Sequence, residues 1–392
     1  MNGSDQDSPT QPSIMFACSN SILDVSSGVA HSIHTLLVEL VARGYRATAL
    51  QAMIFDAPQG GAHILESAKA HKDKALLRTN LSGVEHLLVR TASTRRLRMT
   101  SAEQEVFLKT FRMEIAAFRP DMIITWGNLL LEMTLRREAH AAGIPVIFML
   151  VNDTYKDKQV FEHVTTIVTD SHATANLYKD RLGLECHPVG KLIFRPSVVH
   201  PAHSPDFITF ITPNLEKGVN LFAPLARLAA QECPEIKFLV VQGRGDWEQA
   251  LQLFRYSPDD FPNVKVMDAV TDIRPVYGRT RALLMPSMCH ESGGRVVAEA
   301  LMNSIPVLAS NSGGIPEMLG QGGVLFDLPD AVRENRRVPT SEQVVRPWLD
   351  EIKRIWHDQP YYADLCARAE NASEKHDLQR NVSRFLKAVS TA

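Results

Sequence analysis

The chain has 392 residues, too many for one ordinary hydrophobic core and enough for two domains of ordinary size. Hydrophobic residues make up 45% and charged residues 22%, the balance of a globular protein in water, and a formal net charge of -2 gives no electrostatic reason to expect a nucleic-acid partner. The five cysteines (Cys18, Cys186, Cys233, Cys289 and Cys366) are scattered without a C-x-x-C pair. That excludes a disulfide framework and a thiolate zinc site, and predicts a cytoplasmic protein.

Residues 1–13 are polar, without the basic start and apolar run of a signal peptide, and read as a disordered tail. The longest apolar run, 144–151, is too short for a bilayer, so membrane association is not expected. Residues 14–18 predict a strand. After the Ser27-Gly28 turn, Ile33, Leu36, Leu37, Leu40 and Val41 repeat at helical spacing over 31–43, and Gly44 suits the stop. A strand at 47–51 completes a unit of two parallel strands crossed by a helix. The pattern recurs as strand 122–125, helix 129–141, strands 146–151 and 165–169, and helix 173–182 ended by Gly183.

Residues 191–207 carry Pro196, Pro201 and Pro205 without a regular period and read as the link between domains, 14–200 and 207–372. The second series runs strand 207–211, helix 219–231, strand 236–241, helix 246–254 and strands 264–267 and 282–285. It continues with helix 295–302, strand 307–310, a short helix at 316–319 and strand 323–326. Residues 362–375 and 378–389 are helical in pattern. Two such α/β halves predict a ligand cleft at the carboxyl ends of their strands.

The segment Pro286-Ser287-Met288-Cys289-His290-Glu291-Ser292-Gly293-Gly294-Arg295 is a strand end, a turn with two glycines and a helix start. Glycines admit close approach of a ligand to the backbone, and the first amides of a helix lack intrahelical partners. Ser292, Gly293 and Gly294 therefore form a candidate cradle for a phosphate or diphosphate. Glu299 follows Glu291 by eight positions, a little over two helical turns. It is placed to accept bonds from ribose hydroxyls, with Glu291 on the sugar side. The bland alternative is a pair of solvated surface glutamates.

The surrounding residues decide against that alternative. Pro286-Ser287, Glu291, Glu299-Ala300, Ser304-Ile305-Pro306-Val307 and Gly313-Gly314-Ile315-Pro316-Glu317 stand in order. This combination resembles glycosyltransferase family 4 (glycosyl transferases group 1), which includes glycogen, sucrose-phosphate and lipopolysaccharide sugar transferases. The resemblance implies the GT-B fold, an α/β architecture of two Rossmann-like domains facing a central cleft, with a C-terminal helix over 373–392 that returns to the N-terminal domain. It implies a retaining glycosyltransferase that moves a sugar from a nucleotide-sugar donor, with UDP or GDP favoured, to an unidentified hydroxyl acceptor. No metal or other cofactor is expected. A non-catalytic nucleotide-sugar-binding protein and an epimerase on the same fold stay open.

By the same resemblance, Lys217 of Glu216-Lys217-Gly218 contacts the donor diphosphate and Gly28 belongs to a glycine-rich loop facing it. Arg244 lies in a Gly-x-Gly turn, and Asp268 and Val270 fall in the loop that holds the base. Three departures stand out. Ile211-Thr212-Pro213-Asn214 replaces a turn that usually carries an arginine, so Arg295 or Arg244 is the expected second cation. Asn152-Asp153 stands where a histidine is usual, and both become candidates for contact with the donor sugar or the acceptor. Gly293 replaces a usual phenylalanine, which predicts extra room near the donor. The basic run Arg90, Arg95, Arg96 and Arg98 reads as a solvated loop, with an anionic acceptor as the functional alternative.

Overall fold

A computed structural model of the chain describes residues 11–69, 71 and 73–390. The expected tail therefore lies mostly outside the described residues, and Ser13 already opens the first strand. The elements begin β1 (Ser13–Ala17), α1 (Gly28–Ala42), β2 (Arg46–Ala52), α2 (Ala62–Lys69), β3 (Leu76–Leu81) and β4 (Val84–Val89). They continue α3 (Ser101–Phe118), β5 (Met122–Thr125), α4 (Leu130–Ala141), β6 (Val146–Leu150), β7 (Thr166–Thr169), α5 (His172–Leu182) and β8 (His187–Pro188). The second series is β9 (Phe207–Ile211), α6 (Val219–Glu232), β10 (Phe238–Val241), α7 (Trp247–Phe254), β11 (Val264–Met267), α8 (Arg274–Tyr277) and β12 (Thr280–Met285). It closes with α9 (Arg295–Met302), β13 (Val307–Ser310), α10 (Ile315–Leu319), β14 (Gly323–Phe326), α11 (Asp330–Glu334), α12 (Glu342–His357), α13 (Gln359–Ser373) and α14 (Leu378–Ser390).

The first sheet runs β3-β4-β2-β1-β5-β6-β7-β8 and the second β11-β10-β9-β12-β13-β14. The second is parallel throughout. In the first, β3 runs antiparallel to β4 at the edge. Every residue of β1, β6 and β10 is buried, as expected for parallel strands covered by helices on both faces. In the second sheet's core, Phe210 stacks on Phe222 with ring centroids 4.5 Å apart, and Phe326 on Trp348 at 4.2 Å. Local signals fix several helix ends. Thr100 and Glu103 form a reciprocal capping box on α3, Ser171 accepts from the Thr174 amide at the start of α5, and left-handed Gly183 ends α5.

By contacts the described chain forms two compact units. One comprises the chain up to Leu150, Tyr155–Val168 and the chain from Phe385, and the other Val151–Thr154 and Thr169–Arg384. The change of unit thus falls at Thr169, earlier than the proline-rich segment at 191–207. The reason is that residues 170–200 pack into the second unit: Ser292 and Lys191 both bond Asp170, and Asn303 bonds Val198. The C-terminal expectation also shifts. Residues 373–384 count with the second unit, and only the end of α14 counts with the first.

Each sheet reverses its direction of growth once. In the first unit β1 lies between β2 and β5, and in the second β9 lies between β10 and β12. Loops leaving the carboxyl ends of strands at such a reversal are where open α/β sheets bind ligands.

One buried histidine gives the first unit a pH dependence. The Gln51 amide donates to His86 Nδ1 at 2.9 Å, and burial pulls the imidazole down to about 3 from an ordinary value of 6.5. The unfolded chain gains a proton below pH 6.5 that folded His86 refuses, so stability falls as the pH drops through that window. Urea unfolding at pH 7 and pH 5 should show His86→Asn losing about 2 kcal/mol less than the wild type over that interval.

Candidate functional site

In the second unit, two loops leave the reversal point. One follows β9 and carries Lys217; the other follows β12 and carries Glu291. Backbone contacts hold them together. The Met288 amide donates to the Glu216 carbonyl at 2.8 Å. Gly218 has φ 86, and a Cβ there would lie 1.9 Å from the Pro286 carbonyl oxygen. A third loop, after β13, packs on the other side. The Gly314 amide donates to the Glu291 carbonyl at 2.7 Å, and a Cβ on Gly313 would lie 2.3 Å from that same oxygen. These contacts give physical content to the Lys-Gly and Gly-Gly-x-Pro-Glu motifs: both admit one backbone against another.

The result brings Lys217 Nζ to Glu291 Oε1 at 2.5 Å. Ser287 Oγ donates to the same carboxylate oxygen at 2.7 Å. Burial alone would raise the Glu291 carboxyl, but the Lys217 ammonium and the Ser287 hydroxyl outweigh it and hold it below its ordinary range. The neighbouring Cys289 thiol is pushed up to about 12 by burial and by Glu291, so it stays protonated and is no nucleophile.

Gly294, with φ 50, turns the chain into α9 and places the turn Ser292–Gly294 at that helix's amino end. Glu299 is buried on α9. Its Oε2 accepts from the Tyr277 hydroxyl at 2.8 Å and its Oε1 from Arg295 Nε at 2.6 Å. Arg295 also donates to the Leu192 carbonyl at 3.3 Å. Arg295, the arginine expected as a second diphosphate cation, thus also orients Glu299.

The room predicted at Gly293 is filled. A Cβ there would lie 2.8 Å from both Asp170 Cβ and Lys191 Cε. These two residues, with Tyr277, were invisible to motif reading because they come from elements distant in sequence, whereas Ser287 stood in the quoted motif without a role.

The remaining candidates fall as follows. Asn152 caps its own turn, its Oδ1 accepting from the Thr154 amide at 3.1 Å, and the Tyr178 hydroxyl donates to its carbonyl at 3.1 Å. Asp153 is near enough to His290 to favour the charged imidazole, although burial leaves His290 lowered. Arg244 is exposed in the turn between β10 and α7. Asp268 is exposed after β11 and accepts from Gln242 Nε2 at 3.2 Å, while Val270 packs partly buried beside Leu239 and Val241. Gly28 is the first residue of α1 and belongs to the first unit.

Residues 207–335 match the family model described as glycosyl transferases group 1. A sulfoquinovosyl transferase of Arabidopsis thaliana is 25% identical over 166 residues, covering 41% of this chain and 29% of that protein. A subunit of the phosphatidylinositol N-acetylglucosaminyltransferase of Schizosaccharomyces pombe is 26% identical over 195 residues, covering 46% of this chain and 41% of that protein. The matches thus span less than half the length of either curated relative. Among solved structures, a sucrose-phosphate synthase from Thermosynechococcus elongatus superposes with TM-score 0.71 at 14% identity, over 97% of this chain and 98% of that one. HepE of Anabaena, solved with UDP-glucose, gives TM-score 0.67 at 14% identity, over 97% of this chain and 100% of that one. The fold is GT-B, with two Rossmann-like parallel-sheet units. Among the described residues no helix is long and apolar enough to cross a membrane.

The glycine contacts make a direct prediction. Gly218→Ala should cost well over the roughly 1–2 kcal/mol of a left-handed alanine, because its Cβ meets backbone. Gly143→Ala, also left-handed but facing open space, should cost only that amount. Urea denaturation of both variants measures the difference.

Proposed function

We propose that the protein is a glycosyltransferase that takes a sugar from a nucleoside-diphosphate donor, with UDP or GDP as the leaving group, and passes it to a hydroxyl acceptor with retention of anomeric configuration. The observation that carries the reading is the placing of Lys217, Glu291 and the Ser292–Gly294 turn together at the reversal point of the second sheet. That a structural neighbour was solved with UDP-glucose supports a uridine base.

In this reading the sugar departs as an oxocarbenium-like centre while negative charge grows on the diphosphate. Lys217 neutralises that charge, aided by the amides of the turn and the positive end of α9. Their value is greatest in the transition state, where the leaving group is most charged. Glu299, aimed by Tyr277 and Arg295, accepts the ribose hydroxyls with its remaining lone pairs. Glu291 accepts a hydroxyl of the transferred sugar, and its depressed pKa keeps it an acceptor at neutral pH. Asn152 and Asp153 are assigned to the sugar or the acceptor, Asp268 and Val270 to the base. Charge compensation comes from the chain itself, so the reading requires no metal. Five free cysteines fit a reducing compartment, and the cytoplasm is the one we assign.

A thermal-shift series with UDP, GDP, ADP, TDP and CMP tests the reading. One nucleotide should raise the melting temperature, and Glu299→Ala should abolish the rise while the protein remains folded. Lys217→Ala should lower kcat/KM for donor turnover by about a hundredfold, the scale of one lost stabilising donor. No response to any nucleotide, or an unchanged response in Glu299→Ala, would overturn the site assignment.

A further inference from the structure

A second lysine reaches the same turn. Lys191 follows β8, and its side chain is only 9% exposed. Its Nζ donates to Asp170 Oδ2 at 2.6 Å, and Ser292 Oγ donates to that same oxygen at 2.7 Å. One carboxylate oxygen therefore holds the ammonium next to the first residue of the turn. Asp170 is fixed in turn by its neighbour: Ser171 caps α5 and lies under Gly314, where a Cβ would sit 2.6 Å from its hydroxyl. The missing side chain at Gly293 is what admits the pair.

Lys191 thus repeats the arrangement of Lys217. Each ammonium is pinned by one carboxylate, and each pair abuts the turn Ser292–Gly294. An ammonium has three N–H donors, and Asp170 engages one of them. The lysine also lies near enough to Glu291 to favour its ionised form. A buried ion pair contributes little net stability, and apolar side chains would fill the same gap. Packing alone is a poor reason to keep a cation there.

We propose that Lys191 is a second diphosphate-binding cation, presented beside the Ser292–Gly294 amides by Asp170 and admitted by the absence of a side chain at Gly293. This rests on the nucleoside-diphosphate reading of the site given above. It assigns to Lys191 the role that sequence alone suggested for Arg295 or Arg244.

Calorimetric titration of the full chain with UDP, GDP and ADP, each beside its monophosphate, tests the proposal. Asp170→Asn with Lys191→Met removes both charges together and avoids stranding a buried carboxylate. This double variant should lose about tenfold or more in affinity for the preferred diphosphate, with a much smaller loss for its monophosphate. Lys191→Arg should retain most of the diphosphate preference. Should the double variant fail to fold, Lys191→Gln removes the cation while keeping a donor for Asp170, and the same selective loss is expected. Equal losses for both nucleotides, or no loss in a folded variant, would overturn the role of Lys191 and leave the donor site standing. A wild-type chain that binds no nucleotide would overturn the donor-site reading, and this proposal with it.

Discussion

The approach of one backbone to another around residues 286–294 is the constraint on which the site depends. Gly218 meets the Pro286 carbonyl, and Gly313 and Gly314 meet the backbone of Glu291 and Ser292. No side chain fits in those gaps. Because the contacts are between main chains, they fix the loops before any charged group is placed. Lys217 and Glu291 then meet because their loops have already met. Parallel strand order supplies the rest: β9 and β12 are neighbours, so the loops leaving their carboxyl ends start side by side.

The electrostatics follow from that frame. Glu291 and Glu299 are both buried, and each is matched to a cation, Lys217 in one case and Arg295 in the other. Burying an unpaired carboxylate would be far more costly than either pair. The hydroxyls of Ser287 and Tyr277 complete the two carboxylates and restrict their rotamers. Tyr277 illustrates the mutual dependence: burial and the adjacent Glu299 push its phenol well above its ordinary value, so it remains a hydrogen-bond donor.

Much of the fold was legible because its parallel strands are short apolar runs separated by capped helices. The strands at 14–18, 146–151 and 207–211, and the helices at 173–182 and 295–302, stand within a residue or two of their observed limits. Residues 52–121 were not resolved into elements, although Thr100 and Glu103 carry a capping-box signal for α3 and Phe107 and Phe111 lie one helical turn apart on its buried face. Helix α12 was missed as well, despite Val345, Trp348, Leu349, Ile352 and Ile355 at helical spacing. For the site, motif order marked Lys217 and Glu291 one by one, as diphosphate and sugar contacts, but not their ion pair. Asp170, Lys191 and Tyr277 were not marked at all, since no local pattern marks a residue whose partner lies more than twenty positions away. Gly293 was misjudged for the same reason: its neighbours come from another part of the chain, so an open space and a filled one look alike in sequence.

The carboxylate partners of the two lysines have a consequence for the empty protein. Each cation beside the turn is already balanced, so the site as a whole is close to electrically neutral. Small stray anions such as chloride therefore gain little by entering it. On the proposed donor reading, a diphosphate would gain more, because it would span several donors at once and meet both ammonium groups without either having to be drawn in from solvent. Selectivity for a long, multiply charged ligand would on that reading be set by spacing, with net positive charge playing the lesser part.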